Sequence, residues 1–337
     1  MTETAIEFVD VVKRYGSAVA VDRISLSIAK GELVTFLGPS GCGKTTSLRL
    51  IAGLELPTTG QVLIAGRDVS HDPASSRNVG MVFQSYALFP HMTVLDNVSY
   101  GPTIRGVPKA EARDRAREIL SQVGLAGYEA RLPSELSGGQ QQRVAVARAI
   151  VQQPDVLLFD EPLSNVDAKL RRKVRAEIRD LQQRFGLTAV YVTHDQEEAL
   201  AVSDRIVVMR MGQIAQIGTP ADLYERPASA FVADFIGDAN LIEGRIADGR
   251  FRAAHLDLPL GVPDGAVTAT IRPERMRLTA GGAAVILTAS YLGSRMEYVV
   301  RDEDLEFLIS RPIAEPRLTP GDAVTVAIDP ADLILQR

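Results

Sequence analysis

The sequence predicts an α/β protein carrying a separate all-β domain at its C-terminal end, and three observations support that expectation. A glycine-rich phosphate-binding signature, Gly38 to Thr45, follows one strand-like run and opens one helix. Apolar runs typical of buried parallel strands alternate with amphipathic helical segments. Beyond Asn240 no lysine occurs, and short β-rich runs are separated by Gly, Pro and Asp, the texture of a small β-barrel.

Taken in order, Ile6, Phe8 and Val9 to Val12 read as a strand, and Ile24, Leu26 and Ile28 alternate with polar residues as another. A small antiparallel sheet is therefore expected first. Leu33 to Leu37, Asn78 to Phe83, Val156 to Phe159 and Thr188 to Thr193 are nearly continuous apolar runs, as parallel strands covered on both faces require. Between them, Lys109 to Val123 places Ala112, Ala116, Ile119, Leu120 and Val123 on one helical face, and Asp167 to Phe185 does the same with Leu170, Val174, Ile178, Leu181 and Phe185. The tail is punctuated at Asp248-Gly249, Pro263-Asp264-Gly265, Gly281-Gly282 and Pro320-Gly321-Asp322, which are expected to separate its strands. The junction is expected at Asp238-Ala239-Asn240, giving domains 1–237 and 238–337.

Composition narrows the class. A chain of 337 residues, 46% hydrophobic and 23% charged, is long enough for two domains and too apolar for disorder. No apolar run approaches the roughly 18 residues of a spanning helix, and Met1 to Asp10 lacks the basic start and apolar stretch of a signal peptide, so the chain is expected to stay where it is made. With 37 basic against 42 acidic residues the net charge is -5, which argues against nucleic acid as a partner. The single cysteine, Cys42, excludes an intramolecular disulfide and a cysteine-built zinc site, and it fits a reducing cytoplasm.

The chemistry gathers at a few positions. In Gly38-Pro39-Ser40-Gly41-Cys42-Gly43-Lys44-Thr45, glycines let the backbone curl so that N–H groups and the helix N-terminus face phosphate oxygens. Lys44 adds a point charge and Thr45 offers its hydroxyl to magnesium. Gly38, Ser40, Gly41, Cys42, Gly43, Lys44, Thr45 and Thr46 form the expected nucleotide cradle. Val156 to Phe159 ends in Asp160-Glu161, where a parallel strand emerges at its carboxyl edge; Asp160 would hold magnesium and Glu161 would act on water. Lys44 and Asp160 are 116 residues apart (160 minus 44), more than one crossover needs, so something is inserted. Within the insertion, Leu136-Ser137-Gly138-Gly139-Gln140 opens a helix and is a second anion-binding N-terminus. One nucleotide needs one cradle, so the second hints at a nucleotide held by a partner subunit.

With Gln84 in Val82-Phe83-Gln84, Ser164-Asn165-Val166-Asp167 and His194 added, the motifs resemble, in order and spacing, the complete set of the ATP-binding cassette ATPases over about residues 4 to 236. Phe231 to Gly237, Ile271-Arg272-Pro273-Glu274 and Tyr291-Leu292-Gly293 resemble the oligonucleotide-binding-like (TOBE) domain of importer ATPases, and Gly237-Asp238-Ala239-Asn240 resembles its polyamine, iron and phosphonate group more than the sugar group. The resemblance implies a RecA-like core with a helical subdomain at about 85–152, and a head-to-tail homodimer holding two ATP with magnesium. Ser137, Gly138, Gly139 and Gln140 of one subunit would close on the nucleotide at Lys44 of the other. It assigns Tyr15 to adenine, Gln84 to magnesium, the attacking water and permease communication, and His194 to the γ-phosphate. Glu161, His194, Lys44 and Gln84 are thus the implied catalytic set, with Thr45, Gln84 and Asp160 at the metal, and Asp167 in a loop crossing between subunits. Tyr86, Leu88, Phe89, Pro90 and His91 are the expected docking surface for a permease at the cytoplasmic face of the membrane, with a solute-binding protein as an indirect partner.

Other residues read more plainly. His71, His91 and His255 are expected to be structural, and the basic stretch Lys169 to Arg179 a solvated helix face. Cys42, beside a helix N-terminus, is expected to favour thiolate and to be reactive. A soluble repair or translation ATPase would show a long coiled-coil insertion or tandem cassettes, and a phosphate-loop kinase or GTPase would not need Leu136 to Gln140.

Overall fold

The computed structural model describes residues 3–164 and 168–336, in two compact units, 1–220 and 221–337. Asn165, Val166 and Asp167, including the residue that the resemblance places in a crossing loop, lie outside the described residues.

The first unit runs β1 (Thr4–Tyr15), β2 (Ala18–Ala29), β3 (Leu33–Leu37), α1 (Lys44–Ala52), β4 (Thr59–Ile64), β5 (Arg67–Asp68), β6 (Val79–Val82), α2 (Val94–Ile104), α3 (Lys109–Gln122), α4 (Gly138–Ile150), β7 (Val156–Asp160), α5 (Ala168–Phe185), β8 (Thr188–Thr193), α6 (Gln196–Val202), β9 (Arg205–Arg210) and β10 (Gln213–Gly218). An antiparallel sheet takes the order β2-β1-β4-β5, and a six-stranded sheet the order β10-β9-β3-β8-β7-β6. In the larger sheet β9, β3, β8, β7 and β6 are parallel and β10 closes one edge antiparallel.

Strand periodicity decides which helix meets which face. Successive side chains alternate across a sheet. Leu33, Leu157, Phe159, Ala189 and Tyr191 share a buried core with Val98 of α2, Val144 and Ala147 of α4, and Val174 and Ile178 of α5. Val34, Phe36, Leu158, Val190 and Val192, on the other face, pack with Leu48 and Ile51 of α1 and with Ile6, Phe8 and Ile24 of the antiparallel sheet. The unbroken apolar runs are therefore strands covered twice. Among the described residues no helix is long and apolar enough to cross a membrane.

The second unit begins in α7 (Pro220–Glu225), continues through α8 (Ala230–Phe235), and is otherwise β: β11 (Asn240–Ala247), β12 (Arg250–Ala253), β13 (Leu256–Pro259), β14 (Gly265–Ile271), β15 (Arg277–Tyr291), β16 (Arg295–Asp302), β17 (Leu305–Pro312), β18 (Ala323–Ala327) and β19 (Ile334–Gln336). Two antiparallel sheets, β13-β12-β11-β14-β19 and β17-β16-β15-β18, share a core that includes Ile242, Phe251, Ile271, Ile286, Tyr298 and Phe307. Gly281-Gly282, expected to separate strands, instead lies inside β15. There Ala280 and Ala284 both face Val324, so the glycines form a bulge. A Cβ on Gly282 would come 2.5 Å from the Val324 carbonyl oxygen, a contact only glycine avoids.

The expected junction at 237/238 falls inside this second unit. Arg272, 4% exposed, joins the segment before that junction to the β-rich strands. Its guanidinium donates to the carbonyls of Ala233 at 2.7 Å, Gly237 at 3.2 Å and Asp238 at 3.1 Å through one nitrogen, and to Tyr224 at 2.9 Å through another. Its carbon lies 4.1 Å from the Tyr224 ring centroid, and the Tyr224 phenol donates to Glu274 at 2.6 Å. One buried cation thus ties α7 and α8 to the end of β14. Burial first, and the Glu274 carboxylate second, push the Tyr224 phenol up to about 12.

Candidate nucleotide-binding site

Parallel register brings the sequence motifs to one sheet edge. Leu37 pairs with Thr193, Val192 with Asp160, and Phe159 with Val82, so the segments leaving β3, β8, β7 and β6 emerge side by side at their carboxyl ends. Those segments carry Gly38, His194, Glu161 and Gln84. This is where ligands bind in open α/β sheets.

The loop from β3 to α1 is built on glycine where the backbone demands it. Gly41 has φ +78° and Gly43, the N-cap of α1, has φ +106°. A Cβ on Gly43 would lie 2.5 Å from the Ala20 carbonyl oxygen, and one on Gly38 would lie 2.3 Å from that of Met209. Lys44, 6% exposed, folds its ammonium across the loop and donates to the carbonyls of Gly38 at 2.7 Å and Pro39 at 3.0 Å. Burial raises the Asp160 carboxyl above its ordinary range, while Arg49 and the Thr45 hydroxyl act the other way. Thr45 and Asp160 are therefore brought together. Tyr15 is 46% exposed beside α1, and both the Glu55 carboxylate and the Thr46 hydroxyl act on its phenol.

Glu161 has φ +45° and its amide donates to the Val192 carbonyl at 3.1 Å, so the residue is turned out of β7 toward β8. Its carboxylate lies 3.5 Å from His194 Nδ1. Gln84, two residues beyond β6, is exposed.

Ser137 to Gln140 are not part of this cluster. Ser137 caps α4: its amide donates to Gln140 Oε1 at 2.9 Å and its hydroxyl accepts from the Gln140 amide at 3.4 Å, a reciprocal capping box. Helix α4 packs on the sheet face opposite α1, and Ser137 and Gly138 are exposed. The capped start of α4 thus sits in a different layer from Lys44.

Two expectations need correction. Tyr86, expected at a docking surface, is 6% exposed. Tyr86 and Ala87 have φ +60° and +49°, and Arg148 of α4 donates to their carbonyls at 2.9 and 2.7 Å, a turn that leaves the Tyr86 ring in the core. What opens beside it is a groove of about 450 Å³ lined by Phe83, Ala87, Phe89, Tyr100, Arg105 and Arg148. Cys42, expected to be reactive, is 4% exposed, and burial raises its thiol against the opposing pull of Lys44. A buried, protonated thiol reacts slowly. Iodoacetamide should therefore label native Cys42 at pH 7 at least tenfold more slowly than the unfolded chain, with the rate rising through alkaline pH. Mass spectrometry of timed samples checks this, and equal rates would refute it.

Sequence reasoning missed the buried set Tyr191, Thr193 and Glu198 behind His194, and the Arg148 fork. The first had a signal: Asp195 and Glu198 have the spacing of a helix cap and its third residue.

Against known proteins, the chain is 54% identical over 336 residues to the Fe(3+) ions import ATP-binding protein FbpC of Rhizobium etli, covering 96% of this chain and 95% of that one. It is 49% identical over 334 residues to the FbpC protein of Escherichia coli, with the same coverage. The sequence pattern of the ABC transporter family matches residues 21–164. The chain belongs to the ABC transporter family. The TOBE domain pattern matches residues 269–335, within the second unit. Among solved ABC transporter structures, cbiO1 of Clostridium perfringens, part of the complex cbiONQ, superposes with a TM-score of 0.61 at 27% identity, covering 66% of this chain and 90% of that one. The ATP-binding cassette MJ0796, in a dimeric post-hydrolysis state bound to ADP and Pi, superposes with a TM-score of 0.56 at 32% identity, covering 64% of this chain and 98% of that one. As a member of the ABC transporter family the chain is an ATP-hydrolysing subunit.

Proposed function

We propose that the chain powers ferric-ion import, working as a head-to-tail homodimer on a membrane permease at the cytoplasmic face of the membrane. The observation that carries this reading is the convergence of Lys44, Asp160, Glu161 and His194 at one sheet edge while a second glycine-rich helix start, exposed, sits elsewhere in the same unit. The FbpC relatives, named for Fe(3+) import, support the cargo, and the dimeric state of the MJ0796 cassette supports the assembly.

Phosphoryl transfer to water needs positioning and charge stabilisation more than covalent chemistry. In this reading Tyr15 stacks on adenine. The loop amides from Gly38 to Lys44, with Thr45 and Thr46, hold the phosphates, and Lys44 moves from its own loop carbonyls to the phosphate oxygens. Thr45, Asp160 and Gln84 offer only oxygen donors, which suits magnesium, and burial already strains the Asp160 carboxylate in a way that a neighbouring cation relieves. Bound there, magnesium would neutralise charge on the β- and γ-phosphates. Glu161 takes up the proton of the attacking water and orients it along the line of attack, with Gln84 also facing that water. His194 holds the γ-phosphate. Ser137, Gly138 and Gly139 of the second subunit close the site, with Gln140 fixing the cap geometry. The groove lined by Phe83, Phe89 and Tyr100 takes the permease segment, next to Gln84 in the chain, so nucleotide state and permease are linked locally.

The test is transport itself. Vesicles bearing the cognate permease and this chain should take up ferric ion only with ATP inside the compartment facing the chain. Uptake of a different solute with no ferric uptake would sink the cargo, and ATP turnover indifferent to the permease would sink the coupling.

A further inference from the structure

Behind His194 lies a buried carboxylate to which the reaction scheme gives no role. Glu198, in the first turn of α6, is 4% exposed, and both of its hydrogen bonds as an acceptor land on one oxygen: Thr193 Oγ1 donates at 2.8 Å and Tyr191 Oη at 3.2 Å. Thr193 Oγ1 in turn accepts the Asp195 amide at 3.0 Å, and Asp195 Oδ1 accepts the Glu198 amide at 3.0 Å. The bonds close a ring, Glu198 to Thr193 to Asp195 and back to Glu198, and the residue enclosed by it in the chain is His194. Glu198 lines the same cavity of about 60 Å³ as Glu161, His194 and Thr193.

We infer that Glu198 is a positioning residue, holding the Thr193–Asp195 turn so that His194 stands over the γ-phosphate opposite Glu161. A helix cap alone would not require this arrangement. The Asp195 carboxylate already caps α6, so a glutamate at this position could extend into solvent. Instead Glu198 buries its carboxylate, a placement whose cost shows in its pKa, which burial raises despite the Thr193 and Tyr191 hydrogen bonds. The other charges facing it are Asp195, which adds to that cost, and Arg171, 3.8 Å away, which offsets part of it. A group buried at that cost, and hydrogen-bonded to the residue just before His194, restricts where the histidine can swing, and a misplacement of about 1 Å near a reacting centre costs on the order of 10²-fold in rate.

The inference rests on the assignment of His194 to the γ-phosphate, and the experiment separates the two. ATP turnover of the full chain is measured for His194→Ala, Glu198→Ala, Glu198→Gln, Thr193→Val, Tyr191→Phe and the double variant His194→Ala with Glu198→Ala. His194→Ala should lower kcat about 10²-fold or more. Glu198→Ala and Thr193→Val should each lower it about 10- to 100-fold with KM for ATP within about twofold of wild type. Glu198→Gln keeps an oxygen where both hydroxyls donate, and Tyr191→Phe leaves the ring around His194 closed, so both should stay within about threefold of wild type. In the His194→Ala background, Glu198→Ala should add less than about threefold, because the group it positions is gone. If His194→Ala turns over at the wild-type rate, the histidine assignment fails and this proposal falls with it. If His194→Ala is crippled but Glu198→Ala and Thr193→Val are not, or if Glu198→Ala slows both backgrounds by the same factor, only the positioning role is overturned. Should Glu198→Ala fail to fold, Thr193→Val cuts the same link and decides alone.

Discussion

Glu161→Gln should bind ATP with unchanged affinity and hydrolyse it roughly 10²- to 10⁴-fold more slowly, the usual loss for a general base. The amide fits the same space, and the features that orient residue 161 are untouched by the change: its left-handed backbone and its amide bond to Val192 at 3.1 Å. Lys44 and the glycine-built loop stay intact, so binding persists. What is lost is the basic oxygen that receives a proton from water. Single-turnover measurement with labelled ATP, beside an independent binding titration, reads the two effects separately. Hydrolysis at the wild-type rate would remove Glu161 as the base; a matching loss of affinity would recast it as a binding residue.

A larger effect, from full to none, is expected for ATP-driven association. Because Glu161→Gln stalls after binding, it should shift from monomer to dimer when ATP and magnesium are added, each Lys44 cradle capped by Ser137 of the other subunit. Ser137→Arg in the same chain should abolish the shift. Ser137 is exposed at the start of α4, so arginine there meets no core. The lost cap costs about 1 kcal/mol, too little to unfold the chain, and the long side chain fills the space meant for phosphate oxygens. Size-exclusion chromatography with light scattering gives the mass directly, and ATP titration of the double variant confirms that its own Lys44 site still binds. A dimer that survives Ser137→Arg would end the trans-subunit role.

What could be read in advance followed physical regularity. Parallel strands covered on both faces must be apolar at every position, so Val156 to Phe159 and Thr188 to Thr193 were legible as such, and the phosphate loop was legible because only glycine tolerates the backbone at Gly41 and Gly43. The misreadings share a different cause. Tyr86 was placed on the surface with the rest of the segment expected to meet a permease, yet two consecutive left-handed residues and the Arg148 fork turn its ring inward, a tertiary effect with no local pattern. Cys42 was judged by the helix start next to it, whereas the close packing of the loop, with Gly38 at its back, outweighs that field by burying the sulfur. Gly281-Gly282 has the composition of a turn and the role of a bulge, a distinction set by Val324 on the neighbouring strand. Glu198 escaped notice because its partners Tyr191 and Thr193 alternate inside a strand that reads as simply apolar.

Arg272 bears on how such proteins can be recombined. Its guanidinium spends its donors on carbonyls at Tyr224, Ala233, Gly237 and Asp238, three of which precede residue 238. A graft that joined a foreign tail at 237/238 would bring in an arginine tuned to another chain's turn and strand the native carbonyls, or leave a buried cation facing acceptors of the wrong geometry, at a cost of several kcal/mol. Cut at 220/221 instead, the arginine and all four of its acceptors travel together. A graft meant to keep these contacts should therefore start at the helix α7 and not at the first strand of the β-rich region.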